Sequence, residues 1–167
     1  MESFISKHPS GANVDSVHRL DAAIRYLQQG RSAQAYAILS QGGYEKEPAA
    51  WFAQGLCHIR AGEMAKSVTD FEQALSLLRS AAASHGLAAE NTEIYHRLAR
   101  EQLANQAYLD PMDAEFCRLF PKAAEQNVIL ALIHSYRQMG MNEQVRRLSS
   151  GLTGPIFEDF KRAIEKS

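Results

Sequence analysis

The chain has 167 residues, with 18 lysines and arginines against 19 acidic residues, a formal net charge of -1 and a pI near 6.6. At 46% hydrophobic and 22% charged residues it has the makings of a folded core, as one domain or one short array of repeats. The balanced charge leaves no basic excess to release counterions, which argues against a nucleic-acid binder, and no apolar run approaches the roughly 20 residues that span a bilayer.

The opening "MESFISKHPSG" has no apolar core of a secretory signal, so a cytoplasmic protein without membrane attachment is expected. Cys57 and Cys117 have no CxxC or metal-type neighbour, and both are expected as buried, unpaired thiols. Residues 1–13 offer little to pack except Phe4 and Ile5 and are expected as a loosely held leader before a single domain over 14–167.

In chain order the elements are helical throughout. Leu20, Ala23, Ile24 and Leu27 make one apolar stripe, predicting a helix from about Val14 to Gln29 that Gly30 closes. Ser32 offers an N-cap for a second helix through Leu39, ended by Gly42 and Gly43. Pro48 suits the first turn of the next helix, which Gly62 ends, and Ala65 to about Ser84 forms its partner. Leu98, Ala99 and Leu103 predict a helix over about 92–109, and "LDPMDAEF" restarts one with Asp110 as N-cap. "ILALIHSYRQMGMNEQVRRL" gives a further pair that turns at Gly140, with Asn142 as cap. Pro155 starts a tail whose stripe of Ile156, Phe157, Phe160, Ala163 and Ile164 reads as a capping helix over 155–167, or as a homodimer contact.

These hairpins repeat. Tyr26, Gly30, Ala35 and Leu39 recur 32 residues later as His58, Gly62, Ser67 and Phe71, and Ala23 recurs as Gly55. Gly55 sits mid-helix, where glycine costs roughly 1 kcal/mol relative to alanine, so a close approach of the neighbouring helix near Ser67 and Phe71 is expected there. The second hairpin, "WFAQGLCHIRAGEMAKSVTDFEQAL", resembles a tetratricopeptide repeat through Trp51, Gly55, Gly62, Ser67, Phe71 and Ala74. It departs from that pattern at Gln54 and Arg79. The first hairpin matches through Ala23, Tyr26, Gly30 and Ala35, and the pair at 123–150 through Tyr136 and Gly140, with branched Ile133 and Val145 at the small sites.

The resemblance implies an all-α fold of antiparallel helix-turn-helix repeats stacked in a right-handed superhelix. It would contain three to four hairpins (about 14–47, 48–84, an irregular 92–121, and 123–150) plus the capping helix. It also implies a concave groove lined by the first helix of each hairpin. The residues so placed are Leu20, Ile24, Phe52 and Leu56 at an apolar end, then Arg60, His96, Arg100, His134 and Arg137 at a basic end. The partner expected there is a protein segment with hydrophobic anchors and acidic groups, bound by a non-catalytic scaffold or adaptor. Two alternatives stand beside it: Phe52 and Leu56 packed in cis under the leader, and the three arginines as plain solvated surface. The carboxylate clamp of the heat-shock co-chaperones in this family is missing, because its sites hold Leu20, Ile24 and Ala53. Small bacterial chaperones of type III secretion share the length and the apolar groove and form the alternative function. No catalytic, metal or cofactor motif is present, and self-association through the array end or groove stays open.

Overall fold

Three glycines turn the chain in the same way. Gly30, Gly62 and Gly140 have φ of +77°, +78° and +71°, a region that side chains with a Cβ rarely adopt. At each, the glycine N–H donates to the carbonyl three residues back, and the next N–H donates to the carbonyl five residues before it: Arg31 to Tyr26, Glu63 to His58, Met141 to Tyr136. This double bond closes one helix, and the next begins two residues after the glycine.

The computed structural model describes residues 11–84 and 92–166. The hairpins are α1 (Gly11–Gln28) with α2 (Ser32–Leu39), α3 (Pro48–Arg60) with α4 (Met64–Ser84), and α7 (Pro121–Gln138) with α8 (Asn142–Ser149). Between the second and third lies an insertion, α5 (Thr92–Leu103), a 3-10 segment (Ala104–Leu109) and α6 (Ala114–Leu119). A 3-10 turn (Pro155–Phe157) and α9 (Glu158–Glu165) follow. No strand occurs among the described residues, so the chain is all-α there.

Equivalent positions do equivalent work in the core. Ten residues before each turn glycine stand Leu20, Phe52 and Leu130, all buried; five after it stand Ala35, Ser67 and Val145, also buried. The residue seven before is Ala23, Gly55 or Ile133. A Cβ on Gly55 would lie 2.5–2.9 Å from the Phe71 ring, so α4 meets α3 at the residue expected from the repeat. α4 packs closely on α3 on one side and on α7 on the other, making α7 the centre of the C-terminal half. Phe52, Phe71 and Phe157 are fully buried, each contributing about 1.5–3 kcal/mol of transfer free energy. Phe157 and Ile164 dock the tail, but Ala163 of the expected stripe faces solvent.

Several local expectations change. The first helix begins at Gly11, inside the segment read as a leader, and residues 1–10 lie outside the described residues. Ser32 and Asn142 are first helical residues, with Arg31 and Met141 as uncapped N-caps, because the glycine-terminated turn sets the restart two positions on. The helix over 92–109 breaks after Leu103, where Asn105 and Gln106 take left-handed φ of 53° and 59°. The cap of α6 is Asp113, not Asp110: its carboxylate accepts the Phe116 N–H at 2.6 Å.

Candidate functional site

The four apolar residues expected in a groove are core. Leu20, Ile24, Phe52 and Leu56 are each 5% exposed or less, packed against the neighbouring helices. Arg60 is exposed, but its guanidinium donates to the Leu27 carbonyl at 2.8 Å and to Ser32 Oγ at 3.3 Å. It therefore fastens α3 to the end of α1, where a cation also complements the negative end of the helix dipole. His96 and Arg100 lie on α5; His96 shares a small cavity of about 60 Å³ with Tyr95, Lys122, Gln126 and Phe157, while Arg100 points to solvent. His134 is half-buried under the Tyr108 ring, centroids 6.4 Å apart, and burial with the Arg137 charge pushes its pKa down. Arg137 is exposed near the last hairpin's turn.

One side of α3 and α7, termed the inner side, is occupied in cis by the insertion. α6 packs against both helices, Gln102 Nε2 on α5 donates to the Ala123 carbonyl at 2.8 Å, and Met112 and Cys117 are buried beneath. Burial pushes the Cys117 thiol up to about 12 and the Cys57 thiol to about 11, so neither is a reactive thiolate.

Two bridges cross from one hairpin to the next on the outer side. At the first, the Tyr36 ring of α2 lies 5.3 Å from His58 of α3, and His58 Nδ1 is 2.6 Å from Asp70 Oδ2 on α4. Burial pushes the Asp70 carboxyl up while His58 holds it back, and Glu63 lies 3.7 Å from Nε2. This histidine–carboxylate pair has no nucleophile at hand: adjacent Cys57 turns to the Ser32 carbonyl at 3.6 Å. It is a buried link, satisfied on both sides.

At the second bridge the residue equivalent to His58 is Tyr136, whose hydroxyl donates to Glu72 Oε1 on α4 at 2.9 Å. Burial first and Glu72 second push this phenol up to about 12, so it stays a donor. Here the space between α4 and α8 is open, a groove of about 610 Å³ over α7. Leu75, Leu132 and Leu148 supply its apolar floor, and Ser76, Ser80 and Gln144 its rim. Of its charged neighbours, Glu72 takes the Tyr136 hydroxyl and Arg79 pairs with Glu125 at 2.8 Å. Arg147 lines the same groove with no ion pair among the described residues.

Nothing in the sequence pattern singled out this groove. Its signal was available in the contrast between the 21-residue α4 and the 8-residue α8, which leaves one flank of α4 without a mate among the described residues. Among the described residues no cluster of three metal-ligating side chains occurs, and no helix is long and apolar enough to cross a membrane. The chain matches no known family profile, no curated protein and no solved structure.

Proposed function

We propose that the chain is a non-catalytic protein-interaction scaffold of the tetratricopeptide type, working in the cytoplasm. Its docking site in this reading is the groove between α4 and α8. The observation that carries the reading is an open, leucine-floored groove whose acidic groups are engaged while Arg147 has no ion pair among the described residues. Three hairpins closed by the same glycine turn support the repeat assignment. Charge complementarity names the occupant: a segment of another protein that lays two or three aliphatic side chains on Leu75, Leu132 and Leu148 and offers a carboxylate to Arg147.

Two synthetic amphipathic helices with the same leucine stripe, one faced with glutamate and one with lysine, test this by fluorescence anisotropy. The glutamate peptide is expected to bind about tenfold more tightly, roughly 1.4 kcal/mol. Ser76→Trp, which fills the groove from an exposed position, should abolish binding, and Arg147→Glu should reverse the preference. Equal binding of the two peptides, or binding indifferent to Ser76→Trp, would rule the groove out.

A further inference from the structure

The insertion differs from the stacked hairpins in how well it is held. Among the described side chains of residues 93–120, only Ala99, Gln102, Tyr108, Met112 and Cys117 are buried. By contrast α3 alone buries eight residues. The polar accounting is also poorer here. Five buried side-chain atoms in the described protein lack a hydrogen-bond partner, and three of them are Gln102 Oε1, Gln126 Oε1 and Asn127 Oδ1. Gln102 belongs to the insertion. Asn127 lies on the α7 stripe between Ala123, which accepts the Gln102 amide, and His134, which carries the Tyr108 ring. A buried acceptor left unpaired gives up its hydration without a bond in return, so the interface is weakened where it is most enclosed. The turn that folds the insertion back is strained too, since Asn105 and Gln106 are the only non-glycine residues with positive φ among those described.

The surface beneath mixes apolar with polar side chains. A helix face meant for permanent burial is expected to be apolar, as the opposite face of α7 is, where Val128, Ile129 and Leu132 are buried. The covered face, besides the buried Ala123 and Leu130, presents Asn127 and His134, which suit a polar backbone or side chain arriving from outside.

We infer that residues 92–120 form a displaceable cover over the inner face of α3 and α7, and that the uncovered face takes a peptide resembling the cover itself. Such a peptide places an aromatic ring on His134, as Tyr108 does, and small or unbranched apolar side chains where Met112 and Cys117 now lie. This surface is separate from the α4–α8 groove, and either can fail without the other.

The two thiols provide the test on the intact chain. Cys117 is buried within the cover and Cys57 within the hairpin stack, so their alkylation reports two different openings. Under native conditions, with sites resolved by mass spectrometry, Cys117 is expected to be labelled at least about tenfold faster than Cys57, which corresponds to a cover that opens at least about 1.4 kcal/mol more readily than the stack. A synthetic peptide spanning residues 104–119, carrying Cys117→Ser and added in large excess, should speed the labelling further by holding the cover open. The same results should appear in Ser76→Trp, whose outer groove is filled. Equal rates at the two thiols would show that the insertion opens only with the whole fold, and a Cys117 rate unmoved by the peptide would show that the inner face takes no such ligand. Either result overturns the inference.

Discussion

The two outer bridges are built on the same plan and end differently. Both run from the second helix of one hairpin, across the residue four before the next turn glycine, toward the following second helix. In the first, Tyr36, His58 and Asp70 close the span with a 2.6 Å bond between buried groups. In the second, Glu72 and Tyr136 complete only half of it, and Arg147 on α8 stands without a counter-ion among the described residues. The first junction is further sealed by Arg60 on the Leu27 carbonyl, while the second relies on the buried Ser67–Ser135 bond at 3.0 Å and the surface pair of Arg79 with Glu125. The turn geometry therefore fixes how each hairpin forms, whereas a few side chains between hairpins decide whether a junction is filled or left as a groove. Filling is a matter of stability; leaving a floor of leucines open favours association.

The contact common to both junctions should be the most sensitive. Gly55→Leu pushes into the Phe71 ring, where even a Cβ would come within 2.5 Å, and α4, which carries Asp70 and Glu72 of the two bridges, must shift on α3. A loss of about 3 kcal/mol is expected by urea unfolding. Gly55→Ala should cost less, and Phe71→Leu added to it should recover part of the loss. A Gly55→Leu protein of wild-type stability would mean that α3 and α4 do not approach as described.

Arg60→Ala and Arg79→Ala compare the junctions directly. Arg60 adds a charged hydrogen bond to the Leu27 carbonyl, which also accepts the Gly30 N–H, and ties α3 to the end of α1, so its removal should cost about 1–2 kcal/mol. Arg79 is 58% exposed in its ion pair, and its removal should cost well under about 1 kcal/mol. Equal costs would erase the distinction between a sealed and an open junction.

Acid should loosen the contact between the insertion and α7 at His134. The His134 pKa is pushed below its ordinary value of 6.5, chiefly by burial and secondly by the Arg137 charge, so the native state keeps the ring neutral. Tyr108 faces it from the insertion, and its own pKa is raised by burial. As pH falls through 6.5 the unfolded chain takes the proton first, so the stability held by the neutral ring is present above that pH and is lost below it. Thermal unfolding from pH 7.5 to 5 should show this decline, and His134→Phe should flatten it; an unchanged slope in the variant would place the titration elsewhere.

Much of this fold was legible in the residues, for physical reasons that differ by element. The glycine turns were readable because a left-handed residue is needed at each helix end, and Gly30, Gly62 and Gly140 stand in register. Gly55 was readable because its cost inside a helix implies a close neighbour, and Phe71 is that neighbour. The expected groove was not readable in the same way. An apolar stripe such as Leu20, Ile24, Phe52 and Leu56 looks the same whether it faces a partner, a leader or the molecule's own core. Here it faces the core, and the insertion covers α3 and α7 from within. Where the chain between hairpins folds back depends on Asn105 and Gln106 adopting a conformation that their side chains do not announce.

That turn offers the smallest effect and the sharpest contrast with the glycine turns. Gln106 occupies the left-handed region that glycine holds at Gly30, Gly62 and Gly140, and it is exposed, so its side chain returns little packing for the strain. A residue with a Cβ is disfavoured there by about 1–2 kcal/mol, and glycine in turn loses about 0.5–1 kcal/mol of unfolded-state entropy on ordering. The difference leaves Gln106→Gly more stable by about 0.5 kcal/mol. It should raise the melting temperature slightly and slow the alkylation of Cys117 without changing that of Cys57. A variant that instead frees Cys117 would mean that the Gln106 side chain, and not the shape of the turn, holds the insertion down.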